Sequence, residues 1–270
     1  MTECAVILAR GLGTRMRRSR SESLISSDQR EAAQHGAKAM MPFGRPFLDY
    51  SLSHLADAGI RTAILVIGPE HTQVRDYFQR TAEGRRVSIS FAIQERPLGT
   101  ADAVRAAAHQ VGERPFLVLN GDNLYPTNAI RQLRTHEGRG LVAFNADALI
   151  RASGIEAERI LKFALLEIDE RQHLVDIHEK PSADHPLALK PSRDVSMNLW
   201  RFTPSIFLSI DGIHLSARGE LEIQDAVRND MRASDSAYHC FRSDEPVLDL
   251  SSQHDIEGVA HRLAALDPRP

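Results

Sequence analysis

Four short runs rich in aliphatic and β-branched residues, at 4–9, 62–67, 87–93 and 116–120, alternate with amphipathic stretches at 47–58, 74–82 and 100–111. Strands separated by helices cannot pair as hairpins. The alternation therefore predicts an α/β fold with a mixed, mainly parallel sheet flanked by helices on both faces. In such sheets ligands bind beyond the carboxyl ends of the strands. Two glycine-bearing segments fall at those ends. Gly11-Leu12-Gly13-Thr14-Arg15 follows the apolar run Ala5-Val6-Ile7-Leu8, and Gly121-Asp122 follows Phe116-Leu117-Val118-Leu119-Asn120.

Beyond about residue 140 the texture changes. Runs at 141–145, 160–168, 174–178 and 195–202 read as strands with fewer helices between them, which predicts a hairpin region closing over the first half. A helix at 223–232, a strand at 237–242 and a C-terminal helix at 253–266 complete the pattern, and no internal repeat is present. Residues 17–37 are rich in Ser, Arg, Glu and Gln and carry little apolar content. That composition predicts a mobile lid or a partly disordered loop.

A formal charge of −3 over 270 residues gives no general attraction to nucleic acid or to an anionic membrane. A polyanion would need a local basic focus, and Arg10, Arg15, Arg17, Arg18 and Arg20 supply one. No apolar run approaches the roughly 20 residues that a membrane span needs. The N-terminus lacks the charged region and cleavage site of a secretion signal, so a cytoplasmic location is expected. Cys4 and Cys240 lie far apart on expected strands and read as small buried thiols in a reducing compartment. The histidines show no spacing that suggests a zinc site.

The first glycine loop presents backbone N–H groups with no side chain in the way, a cradle for phosphate oxygens. Arg15 adds a planar donor fork suited to the same group. A dinucleotide fingerprint would need a small residue where Met16 stands, and a Walker loop would need a Gly-Lys-Ser/Thr ending that is absent. A second element follows downstream, Lys38-Ala39-Met40-Met41-Pro42.

Together these segments spell G-x-G-T-R-M … K-x-x-x-P, which resembles the sugar-1-phosphate nucleotidylyltransferases, the glucose-1-phosphate thymidylyltransferases and related NDP-sugar pyrophosphorylases. The resemblance continues in the family's order. Gln94-Glu95-Arg96-Pro97-Leu98-Gly99-Thr100 resembles the base-recognition segment, and Asn120-Gly121-Asp122-Asn123 the metal-binding turn. Glu179-Lys180-Pro181 resembles the sugar-phosphate motif, and Ser196-Met197-Asn198-Leu199-Trp200 the sugar-contacting strand. Arg218-Gly219-Glu220-Leu221-Glu222-Ile223-Gln224-Asp225 is similar to a thymidylyltransferase segment, and Leu248-Asp249-Leu250 to one that supplies a second metal ligand.

The resemblance implies a Rossmann-like nucleotide-diphospho-sugar transferase fold. It implies one domain over 1–270: a nucleotide-binding core to about residue 140, a sugar-binding part to about 250 and a C-terminal helix. The implied partners are a nucleoside triphosphate and a sugar 1-phosphate, with no nucleic acid and no membrane, and a homo-oligomer is left open. Arg15 and Lys38 are the implied catalytic residues. Gly11, Gly13, Thr14, Gln94, Gly99 and Thr100 are expected at the nucleotide, Glu179, Lys180 and Asn198 at the sugar phosphate, and Asp122 and Asp249 at Mg²⁺.

Elementary electrostatics supports these roles. A sugar phosphate is already ionised and is its own nucleophile, so the obstacle is bringing one anion onto another. Two unit charges about 4 Å apart repel by roughly 4 kcal/mol at an effective dielectric of 20. Catalysis then consists of positioning and charge neutralisation. A glutamine offers a donor and an acceptor that match a pyrimidine edge, so Gln94 tilts the expectation towards a pyrimidine nucleotide. The Gly99-Thr100-Ala101-Asp102 continuation is shared with adenylyl- and guanylyltransferases, which keeps a purine-specific enzyme as the alternative. A non-catalytic nucleotide-sugar-binding homologue is a further rival. A metal-dependent glycosyltransferase would carry an Asp-x-Asp turn, whereas this chain has Asp122-Asn123-Leu124. Arg10 departs from the family pattern, which has a small residue there.

Overall fold

The apolar runs form the strands of one sheet, shown by a computed structural model that describes residues 1–11, 13–18, 26–36, 38–233 and 237–270. Its strands are β1 (Cys4–Leu8), β2 (Thr62–Ile67), β3 (Ser88–Ile93), β4 (Phe116–Asn120) and β5 (Arg139–Asn145). They continue with β6 (Ala164–Ile168), β7 (Leu174–Glu179), β8 (Asp194–Phe202) and β9 (Tyr238–Ser243). The spatial order is β7-β6-β8-β4-β1-β2-β3, with β5 pairing both β8 and β9. Strands β3, β2, β1 and β4 are mutually parallel, and β8 runs antiparallel to β4, β5 and β6.

β1 is apolar throughout because both its faces are covered. Ala5 and Ile7 pack with Leu48, Leu52 and Leu65 on one side. Cys4 and Val6 pack with Ile64, Val104 and Val118 on the other. After β1 the chain crosses through the helix Phe47–Ala58 to β2, moves outward to β3, then returns past β1 to β4. The direction of winding thus reverses between β1 and β4, which opens a crevice at their carboxyl ends. Those ends touch. The Gly121 N–H donates to the Leu8 carbonyl at 2.9 Å. A Cβ on Gly121 would lie 3.0 Å from that oxygen.

Three expectations need correction. The helix expected over 100–111 is two helices, Thr100–Ala106 and Ala108–Val111. The strand expected from 160 begins at Ala164, because Ala157–Lys162 forms a 3-10 turn that carries Arg159 inward to Asp249 and Asp255. The polar stretch is not wholly loose. Ser27–His35 is a helix, capped by Ser26 and Gln29 reciprocally and closed by Gly36 at φ 69°. Its Ala33 is buried with Met16, Met41 and Phe47. The Ser-x-x-Gln signal was present at 26–29 and outweighs bulk composition. Residues 19–25 and 37 lie outside the described residues, as does that part of the expected lid. No helix among the described residues is long and apolar enough to cross a membrane.

Candidate active site

Two adjoining cavities open at the crevice, one of about 430 Å³ and one of about 270 Å³. Thr14, Lys38, Asn120, Asp122 and Asn198 line both. Of the remaining residues expected at a nucleotide, Gly11, Gln94, Gly99 and Thr100 line the larger cavity. Arg15, Glu179, Lys180 and Asp249 line the smaller one. Gly13 lines neither. Its φ of +57° and its position 2.4 Å short of Gly36 Cα, measured from a Cβ built on it, make it a backbone contact instead. That contact of two glycines brings the far end of the Ser27–His35 helix against the segment that follows β1. The Lys38 N–H then bonds the Gly36 carbonyl at 2.9 Å. Despite the long intervening segment, Lys38 Nζ meets Asp122 Oδ2 at 2.8 Å.

Asp249 reaches Asp122 through a short antiparallel pairing of Leu248–Asp249 with Asn123–Leu124. Asn123 Nδ2 donates to its Oδ1 at 3.0 Å and Ser251 Oγ to its Oδ2 at 2.8 Å. Arg159 bonds the same Oδ2. Burial, and after it the charge of Asp122, lift the Asp249 carboxyl to about 6. Two carboxylates are thus held against their mutual repulsion in the lining of the smaller cavity. Among the described residues no three His, Cys, Asp or Glu side chains converge as a metal cluster.

The wall of the smaller cavity that carries Asn198 and Lys180 is built from strained backbone. The register of β8 against β5 slips between Ser196 and Trp200, and Asn198 within that bulge has φ 60°. Gln224 Nε2 and Trp200 Nε1 donate to its Oδ1 at 3.4 and 3.3 Å. Lys180, at the end of β7, has φ 47°. Its Nζ lies 3.3 Å from Glu179, whose carboxylate also meets Arg218 at 3.5 Å. Burial and the neighbouring Glu222 push the Glu179 carboxyl up to about 7.

In the larger cavity, Gln94 Nε2 donates to the Gly99 carbonyl at 3.1 Å and to Asp102 Oδ2 at 2.8 Å. Gly99 has φ +107°, and a Cβ there would come 2.5 Å from the Leu221 carbonyl. Thr100 Oγ1 accepts the Ile223 N–H at 3.0 Å, so it also caps the helix Ile223–Ala233. Lys162, Gln224 and Ser251 line the smaller cavity and were not anticipated, nor was Arg159 behind Asp249. Lys162 sits in a segment that reads as strand, with no local signal to mark it, whereas Gln224 lies within the Arg218–Asp225 motif, to which no site role was attached.

A family model described as nucleotidyl transferase matches residues 4–257. The chain belongs to that family. A low-salt glycan biosynthesis nucleotidyltransferase of Haloferax volcanii is 26% identical over 225 residues, 83% of this chain and 56% of its own length. A D-glycero-alpha-D-manno-heptose 1-phosphate guanylyltransferase of Aneurinibacillus thermoaerophilus is 31% identical over 144 residues, 53% of this chain and 54% of its own. The chain therefore spans little more than half the length of either relative. Among solved structures, a UDP-glucose pyrophosphorylase complexed with UDP-glucose superposes with a TM-score of 0.74 at 18% identity, covering 98% of this chain and 99% of the other. At that identity the likeness establishes the fold: a mixed, mainly parallel sheet flanked by helices, of the nucleotidyltransferase type.

Proposed function

We propose that the protein condenses a nucleoside triphosphate with a sugar 1-phosphate to give an NDP-sugar and pyrophosphate. The carrying observation is that two cavities meet at Lys38 and Asp122. A triphosphate in the larger cavity and a sugar phosphate in the smaller would bring their reacting ends to that junction. A sugar-phosphate oxygen attacks the α-phosphorus, the bond to the α–β bridging oxygen breaks, and pyrophosphate leaves with its electron pair. No proton needs to move. Lys38, released from Asp122, neutralises charge at the junction. Arg15 is exposed at the rim of the smaller cavity, where a bidentate fork can hold phosphate oxygens. Lys180 anchors the sugar phosphate as a point charge. Glu179 and Asn198 meet sugar hydroxyls, and Gly11, Gly13, Thr14, Gly99 and Thr100 shape the nucleotide side. In this reading the first 140 residues or so hold the nucleotide, and the later strands hold the sugar phosphate.

Asp122 and Asp249 fit a hard dication. They are oxygen donors, few in number as Mg²⁺ accepts, and the repulsion that raises the Asp249 carboxyl is what a dication relieves. When bound there, Mg²⁺ would neutralise phosphate charge. The two buried free thiols, Cys4 and Cys240, suit a cytoplasmic protein. The test is a grid of the common nucleoside triphosphates against a panel of sugar 1-phosphates, read by pyrophosphate release. Release is expected only when both substrates are present. Release independent of sugar phosphate, or none with any pair, refutes the reading.

A further inference from the structure

The ladder between β4 and β8 ends before it reaches the crevice. Its last pair is Val118 with Trp200, and continuing that antiparallel register would set Asn120 across from Asn198. Both of these residues line the two cavities. The slip in β8 takes Met197 out of register with β5, and Asn120 has no ladder partner on β8. A buried N–H and a buried carbonyl left open would each cost stability. One side chain satisfies both. Tyr125, 1% exposed, donates its hydroxyl hydrogen to the Met197 carbonyl at 2.5 Å and accepts the Asn120 N–H at 3.3 Å.

The same hydroxyl stands at the head of a chain that leads to a carboxylate. Asn123 Oδ1 lies 3.4 Å from it and accepts Asn120 Nδ2 at 3.0 Å. Asn123, itself buried, donates through Nδ2 to Asp249 Oδ1 at 3.0 Å. Tyr125 lines neither cavity, so it acts through the groups it holds. Packing accounts for its ring, whose centroid lies 6.4 Å from that of Phe144. Packing does not account for a hydroxyl at this depth, because phenylalanine would fill the same space.

We infer that Tyr125 is a positioning residue: its hydroxyl takes the place of the missing ladder bond between β4 and β8, and so sets the spacing of Asn120 and Asp122 on one bank of the crevice from Asn198 on the other. The inference rests on the transferase reading and adds to it the group that aligns the two substrates. A misplacement of about 1 Å between reacting groups can cost about 100-fold in rate. The segments assigned to the nucleotide follow β1 and β3 and make no hydrogen bond to Tyr125. The loss should therefore fall on kcat rather than on nucleotide binding.

Tyr125→Phe is compared with Tyr238→Phe, which removes another buried hydroxyl, one that donates to Asp230 Oδ2 at 2.6 Å away from both cavities. Pyrophosphate release gives kcat and both KM values per folded protein, and amide hydrogen exchange read by NMR compares the Asn120 N–H with the rest of β4. In Tyr125→Phe, kcat should fall by about tenfold or more, the nucleotide KM should stay within about threefold, and Asn120 should exchange about tenfold faster or more. Tyr238→Phe breaks a bond to a carboxylate and should lower Tm at least as much, yet keep kcat within about twofold and leave Asn120 exchange unchanged. A kcat in Tyr125→Phe within about threefold of wild type, an equal fall in Tyr238→Phe, or unaccelerated Asn120 exchange overturns the positioning role. Failure of Tyr125→Phe alone to fold does the same, since it assigns the hydroxyl to structure. A wild type that releases no pyrophosphate with any pair refutes the transferase reading instead. Accelerated Asn120 exchange then leaves the bridge between the strands standing, and unaccelerated exchange overturns both.

Discussion

Asp122→Asn should abolish turnover while leaving the fold near its original stability, because two electrostatic effects of opposite sign nearly cancel. The substitution removes the Lys38–Asp122 ion pair, whose side chains are 16% and 28% exposed. Such partly exposed pairs contribute about 0.5–1 kcal/mol. It also removes the charge that, after burial, does most to raise the Asp249 carboxyl from 3.8 to about 6. The whole shift corresponds to about 3 kcal/mol, of which burial is the largest part and the repulsion by Asp122 a smaller one. The sign follows from linkage. A carboxyl raised in the folded state favours folding below its unfolded value, and that contribution is lost as pH rises through about 6. At pH 8 the repulsion is fully present, so its removal stabilises. Net stability should therefore change by less than about 1 kcal/mol, a Tm shift within about 4 °C. Magnesium at a hundredfold its Kd should stabilise the wild type by about 2.7 kcal/mol and the variant far less. Thermal melts at pH 8 with and without MgCl₂, beside pyrophosphate release, provide the assay. Activity should fall by about 100-fold or more at saturating magnesium. Activity within about threefold of wild type, or a Tm loss above about 10 °C, would refute the reasoning.

Lys180→Ala should raise the KM for sugar phosphate by about tenfold or more and leave that for the nucleotide little changed; equal effects on both would assign Lys180 to structure or to the triphosphate. Glu179→Gln should raise Tm at pH 8 and have little effect near pH 4, because the wild-type carboxyl, held up to about 7, loses its contribution as pH rises through that value. An equal Tm change at both pH values would contradict the burial and Glu222 repulsion assigned to it. Gly13→Ala should cut kcat/KM by about tenfold or more, and Gly44→Ala should not, since both have positive φ but only Gly13 has Gly36 within reach of a Cβ. Matching losses would trace the effect to backbone strain alone.

The parallel half of the sheet was legible in the sequence because buried strands and amphipathic helices each carry their own periodicity, and four of them alternate. Residues 62–67, 116–120 and 47–58 emerge with the bounds their patterns predict. The capped Ser27–His35 helix was equally local, yet bulk polarity concealed its Ser-x-x-Gln signal. That Gly11, Thr14, Gln94 and Asp122 would line the crevice was legible because each belongs to a short contiguous motif at a strand end. What tertiary structure alone decided are the meetings between distant segments. Gly13 against Gly36 seats Lys38 on Asp122 across a long polar insertion. Arg159 and Ser251 hold Asp249 beside Asp122, and Arg10 reaches Glu70 and Glu95 from another loop. Local pattern encodes which face of an element is apolar, since that depends on neighbours three or four residues away. The partners of a buried charge depend on how whole elements pack, and no run of adjacent residues carries that information.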